Sequence, residues 1–208
     1  MSDTKQIAKQ PKRRKGRERV ESLLDGAVAV FGERGYGAAT MTEIAARAGA
    51  PIGSLYQFFP SKESLVDALV ERYGTHLHER LDRVRERAPG LSTGGLAEAL
   101  LSVFVDLSRE RSLVVSLLDA SWQQPEQRPG RLRHAIRQRI VEILSIWHTS
   151  TGAATPIAPD DAEVHAIVIL QALKAYMQLC GERDSPTQRA AIAAWKRMLD
   201  TYVRALTD

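Results

Sequence analysis

The sequence predicts an all-α protein of about nine helices, and three observations carry that prediction. Apolar residues recur three and four apart through most of the chain, and no stretch alternates apolar and polar residues as a half-buried strand would. Gly, Pro and short polar residues also fall where helices would start and stop. The first helix carries Val20, Leu23, Leu24, Ala27, Val28 and Phe31 on one face, and Gly35 is placed to end it. Thr40 and Glu43 have the S/T-x-x-E spacing of a capping box, in which each side chain satisfies a backbone donor of the other, so a second helix begins at about Met41. Its Ile44, Ala45 and Ala48 share a face of mostly small side chains against which another helix can cross closely. Gly49 suits the left-handed backbone of a helix stop, and Pro51 suits the first turn of a third helix because it has no N–H to satisfy. Leu55 and Phe59, four apart, give this third helix a buried side, and its other side shows Ile52, Gly53, Ser54, Tyr56, Gln57 and Phe58. Two short helices joined at a glycine and followed directly by another make a helix-turn-helix, the arrangement that puts a helix into a DNA major groove.

Ser61 caps a fourth helix with a stripe of Leu65, Leu69, Tyr73 and Leu77, running toward a stop at Pro89-Gly90. Two further helices are expected over Leu96 to about Leu107 and Arg109 to about Gln123, and a seventh carries Leu132, Ile136, Ile140, Ile143 and Trp147. Residues 149–159 read as a surface loop. Asp160 and Glu163 open an eighth helix whose residues 164–173 are apolar on nearly every side and must be covered all round. Ser185-Pro186 open the ninth, where Ile192, Trp195, Leu199, Tyr202 and Leu206 form a heptad-like seam. Such a seam packs either inside one subunit or against a second copy of the chain. The predicted organisation is a disordered basic arm over 1–16, the helix-turn-helix domain over 17–62, and a helical ligand-binding and dimerisation domain over 63–208.

Residues 17–75 closely resemble the N-terminal domain of the TetR family of bacterial transcriptional regulators. The resemblance rests on Thr40, Ile44-Ala45, Ala48-Gly49, Gly53-Ser54-Leu55-Tyr56, Phe58-Phe59 and Ser61-Lys62-Glu63. Pro51 and Ile52 stand where the family most often has a Ser and a basic or polar residue. The resemblance implies a homodimer through the last two helices, with Ile169, Ile192, Trp195, Leu199 and Tyr202 at the interface. It also implies a small-molecule inducer in the second domain that acts through the long fourth helix on the spacing of two DNA-binding heads. A two-fold dimer sets recognition helices about 34 to 36 Å apart and so reads a near-palindromic double-stranded operator.

On the DNA-binding surface, Tyr56, Ser54 and Lys62 are expected on phosphates, and Thr42, Gly53, Gln57 and Phe58 on base edges. Ile52 or Phe58 would meet a thymine methyl, and Thr40 completes the surface. Residues 1–60 hold ten Lys/Arg against six Asp/Glu, which accounts for the whole net charge of +4. Lys12, Arg13, Arg14, Lys15 and Arg17 are the densest part of that surplus, a basic arm attracted to phosphates or merely solubilising. Phe104, Trp122, Ile136, Trp147 and Gln171 are the candidate pocket residues of the second domain, although core packing is the better reading of each.

Other chemistry finds little support. Cys180 is the only cysteine, which excludes an internal disulfide and a cysteine zinc cluster and leaves a small core residue or a redox sensor. His76 and His78 point to different helix faces, the remaining histidines are isolated, and no phosphate loop or hydrolase motif occurs, so no metal, cofactor or catalytic site is expected. Arg128, Arg131, Arg133, Arg137 and Arg139 could draw an anionic ligand, or form a salt-bridged helix face. With no apolar run of membrane-spanning length and a polar N-terminus, a cytoplasmic protein is expected. Three functions fit: a ligand-responsive dimeric repressor, a DNA-binding regulator of the same fold without small-molecule control, and an all-helical ligand-binding or catalytic protein that no longer reads DNA.

Overall fold

A computed structural model describes residues 14–121, 129–152, 156–180 and 185–207. These residues form nine α-helices: α1 (Arg14–Ala38), α2 (Met41–Arg47), α3 (Ile52–Phe58), α4 (Lys62–Arg87), α5 (Thr93–Asp106), α6 (Ser108–Ser121), α7 (Pro129–Ser150), α8 (Pro159–Cys180) and α9 (Pro186–Arg204), with one 3-10 turn at Ala88–Gly90. No strand occurs among the described residues, as the sequence periodicity predicts. The described residues divide into two compact units, one of residues 14–74 with 109–121 and one of residues 75–108 with those from 129 onward. The division falls inside α4, between Gly74 and Thr75, rather than at residue 63. From Arg109 onward, α6 belongs to the first unit.

In the first unit, Leu23, Leu24, Ala27, Val30 and Phe31 of α1 pack with Ile44, Ala45, Leu55, Phe59, Leu65, Val66 and Leu69, and with Leu117 of α6. Crossing of α1 and α2 is close because position 26 has no side chain: a Cβ there would stand 2.9 Å from the Ile44 carbonyl oxygen and 3.0 Å from the Ala48 Cβ. Ser22 Oγ donates to the Ala48 carbonyl at 3.0 Å beside that crossing. Arg72 of α4 reaches Asp25 at 2.8 Å and Glu21 at 3.4 Å on α1, and Glu110 of α6 at 3.9 Å, with its own side chain mostly buried.

The second unit is built on Leu96, Leu100 and Phe104 of α5, Ile140, Ile143 and Trp147 of α7, Ala166, Ile169 and Leu173 of α8, and Leu199 and Val203 of α9, all buried. Trp147 Nε1 donates to the Leu91 carbonyl at 2.9 Å, which satisfies the one polar atom of a fully buried indole. Ser185 caps α9 and Pro186 occupies its first turn, as predicted. The arginine face of α7 takes the salt-bridged reading where it is described. Arg137 pairs with Glu163 at 3.1 Å, and Arg139 with Asp82 at 3.1 Å and Glu142 at 2.7 Å.

The α1–α2 crossing gives a paired test. Gly26→Ala forces a methyl onto backbone and should cost about 1–3 kcal/mol as an overpacking change. Gly32→Ala meets nothing within 4 Å and should stabilise by about 0.5–1 kcal/mol through helix propensity. Thermal unfolding of the two variants should move in opposite directions; a Gly26→Ala midpoint at or above the wild type would remove the close-crossing argument.

Candidate nucleic-acid interface

The helix-turn-helix is assembled by the local signals its sequence carries. Thr40 Oγ1 accepts from the Glu43 backbone N–H at 3.2 Å, and the Thr40 N–H donates back to Glu43 Oε2 at 3.1 Å, completing the capping box. The Thr40 hydrogen bonds, with help from Arg34 at 3.0 Å, hold the Glu43 carboxyl below its ordinary range. Glu33 on α1 pairs with both terminal nitrogens of Arg47 on α2, at 2.6 and 2.7 Å. Gly49 has φ of +60°, the left-handed turn its position predicts. Leu55 and Phe59 are buried and anchor α3. That leaves Ile52, Gly53, Tyr56 and Gln57 on the outer side, with Tyr56 51% exposed, and Ser54 and Phe58 half-buried at its margins. Thr40 and Thr42 are exposed at the start of α2.

Lys62 is placed differently from the expectation. Its ammonium donates to the carbonyls of Tyr36 at 2.9 Å, Gly37 at 3.3 Å and Ala39 at 3.0 Å, and lies 4.7 Å from the centre of the Tyr36 ring. The Tyr36 hydroxyl donates to Glu63 Oε1 at 2.7 Å. Burial, reinforced by that carboxylate, raises the Tyr36 phenol; the same hydrogen bond lowers the Glu63 carboxyl. The carbonyls need this partner because the backbone leaves the helical region at Gly35, with φ 73° and ψ 168°. A phosphate contact by Lys62 would have to strip all three. The signal in sequence was faint: a lysine in the first turn of a helix, 26 residues from its partner.

Other predicted residues divide. Arg14, Lys15 and Arg17 are exposed, yet they belong to α1 rather than to an unstructured arm, and Arg14 pairs with Glu18 at 3.3 Å. Lys12, Arg13 and Trp122 lie outside the described residues. Phe104, Ile136 and Trp147 are core residues, whereas Gln171 is exposed and cannot line an interior pocket. Of the dimer set, Ile169 is 0% and Leu199 1% exposed within one chain, so both face the subunit interior. The heptad-like seam of α9 packs largely inside the subunit: Trp195 Nε1 donates to the Ala172 carbonyl at 3.0 Å and Tyr202 meets His165 Nδ1 at 2.7 Å. Ile192, Trp195 and Tyr202 remain half-buried. Within the apolar stretch 164–173, the face left uncovered by its own chain is Val164 at 55%, Ile167 at 40% and Val168 at 41% exposed, residues outside the expected dimer set, with Met198 at 44% on α9. Cys180 is exposed rather than in the core. No cluster of His, Cys, Asp and Glu suited to a metal occurs among the described residues, nor any helix long and apolar enough to cross a membrane.

A capped two-helix turn carried on a supporting helix defines the class, a helix-turn-helix protein with a second, all-helical unit. Residues 23–69 match the family model of the bacterial regulatory proteins of the tetR family. The chain is 42% identical over 81 residues to the transcriptional repressor KstR2 of Rhodococcus jostii, a match covering 38% of each chain. A TetR-like transcriptional regulator from a Rhodococcus species superposes with TM-score 0.59 at 26% identity, over 95% of this chain and 98% of that one. A SmeT–triclosan complex shares the fold at 22% identity and TM-score 0.55, over 77% and 80% of the two chains. Residues 23–69 thus form a DNA-binding domain of the tetR family type, and the whole chain shares the fold of TetR-like regulators.

The ion pairs and caps of the helix-turn-helix give it an acid limit. Glu43 and Glu63 have folded-state values below the ordinary 4.5. Their stabilisation is therefore fully present above that value and is lost as pH falls through the lowered ones. Melting midpoints followed by circular dichroism should hold from about pH 7 to 5 and fall below about 4.5, and Glu63→Gln should reduce the fall. An unchanged profile in that variant would remove the Tyr36–Glu63 contribution.

Proposed function

We propose that the protein is a dimeric transcriptional repressor that binds a near-palindromic operator through α3 and is released by an apolar or amphipathic small molecule bound in its second helical unit. The observation that carries the DNA-binding part is the outer face of α3, where Ile52, Gly53, Tyr56 and Gln57 stand exposed over the buried pair Leu55 and Phe59. That face supplies a bidentate amide for adenine, a hydroxyl for a phosphate, a methyl-bearing side chain for thymine and, at Gly53, close backbone approach. The exposed cations Arg14, Lys15 and Arg17 add sequence-independent attraction. KstR2, similar over this domain, is a repressor, which supports repression over activation. Inducer control is supported by the shared fold of a SmeT–triclosan complex.

The dimer reading rests on α8 and α9. Val164, Ile167, Val168 and Gln171 recur three and four apart on one exposed side of α8, whose Ala162, Ala166, Ile169, Leu170 and Leu173 are buried. A contiguous apolar stripe of this kind is the expected form of a subunit interface.

Three experiments test the reading. Selection from random DNA should yield a two-fold site, and Gln57→Ala should change the base preferred at one position per half-site, losing about 1–3 kcal/mol of discrimination; an unaltered selected site removes Gln57 from base readout. Ile167→Glu should give folded monomers that bind the operator poorly, because a charge would be buried against the partner copy. Sedimentation of a wild type that is monomeric at micromolar concentration would sink the dimer. An operator complex that a broad panel of apolar compounds fails to release would leave the regulator without small-molecule control.

A further inference from the structure

We propose that Lys62 is a positioning residue that fastens the two ends of the helix-turn-helix together, and that it is not a phosphate ligand. The functional readout rests on the DNA-binding reading above; the structural one does not. Lys62 has three N–H donors, and three carbonyls of residues 36–39 receive them. Those carbonyls end α1 just before Thr40, the cap of α2, and Lys62 opens α4 just after α3. The ammonium therefore joins the chain immediately before the motif to the chain immediately after it. Residues 40–61 are held as a closed loop whose two ends cannot drift apart.

The neighbouring chemistry is arranged for this cation. The Tyr36 ring presents its face to the ammonium at 4.7 Å, and the hydroxyl of the same ring is tied to Glu63, the residue after Lys62. One aromatic side chain thus holds two consecutive residues of α4. Cations are also favoured at a helix C-terminus, where unpaired carbonyls concentrate negative potential. A compact ammonium with three rotatable donors suits three convergent carbonyls; the planar fork of a guanidinium does not. Arginine is therefore a charge-preserving substitution that should destroy the fastening.

Affinity for the selected operator is measured across a salt series for wild type, Lys62→Arg, Lys62→Met and Tyr36→Phe. Both Lys62 variants should weaken binding by about tenfold or more with the slope of log affinity against log salt unchanged, since each lost hydrogen bond to a charged group is large and no counterion release is lost. Tyr36→Phe, which keeps the ring and the cation, should fall between them and the wild type. Wild-type binding by Lys62→Arg, with a slope in Lys62→Met shallower by about 0.9, would make Lys62 a phosphate ligand and overturn the inference. The DNA-free protein gives an independent readout. The hydrogen-bonded Lys62 ammonium should give a slowly exchanging nitrogen-15 NMR signal, and both Lys62 variants should melt lower. If no protein binds an operator while that signal is present, the DNA-binding reading fails and the fastening stands; if the signal is absent, the fastening fails whatever the DNA result.

Discussion

The end of α1 is the constraint on which the rest of the first unit depends. A helix that terminates inside a small domain leaves carbonyls with no intrahelical partner, and each one kept from water must find a donor. In this chain Gly35 breaks the helix, and the next carbonyls are taken up by one side chain from 26 residues further on. The same place sets where α2 can begin, because Thr40 follows Ala39 directly and caps α2 with Glu43. Glu43 in turn pairs back to Arg34 on α1, and Arg47 at the other end of α2 pairs with Glu33. The exposed pairs add little individually. Their effect is to hold in register a crossing that Gly26 makes close and Leu23, Ile44 and Ala45 make dry.

Local signals were legible in the sequence because they depend on residues a few positions apart. The capping box, the left-handed glycine after α2, and the alternation of Leu55 and Phe59 with an outward face on α3 are all fixed within one or two helical turns. Long-range choices were not. Nothing near Lys62 states that its ammonium points back to α1 rather than out to solvent, and nothing between residues 109 and 121 states that α6 joins the first unit through Leu117. The periodicity of α6 is that of an amphipathic helix, which any apolar surface of suitable shape can satisfy.

The ninth helix shows the same limit in a sharper form. A seam of Ile192, Trp195, Leu199, Tyr202 and Leu206 has identical spacing whether its partner lies in the same chain or in another. Burial decides between the two. Leu199 and Val203 are covered by their own chain, and the polar tips of Trp195 and Tyr202 find partners on α8, at Ala172 and His165. Polar atoms of a half-buried aromatic that are already satisfied within the subunit argue that this face evolved as an interior. The informative residues were the ones the seam did not include.

The eighth helix explains why. Once α9 and α7 have covered Ala166, Ile169, Leu170 and Leu173, an apolar helix still has Val164, Ile167 and Val168 facing outward. Placing β-branched side chains there gains nothing for the isolated subunit, since burial is what rewards them. On α9 the exposed side is of a complementary kind, with Ala190 and Ala194 followed by Met198 and Thr201 at steps of about one turn. Small side chains let a second helix approach closely, and an adaptable methionine fills the irregular gaps left at such a contact. A bulky apolar stripe on one helix and a small-residue stripe on the next are the kinds of surface that close helix packing uses. Ile169 and Leu199 lie in the subunit interior, and the uncovered apolar surface is carried by other residues of the same two helices.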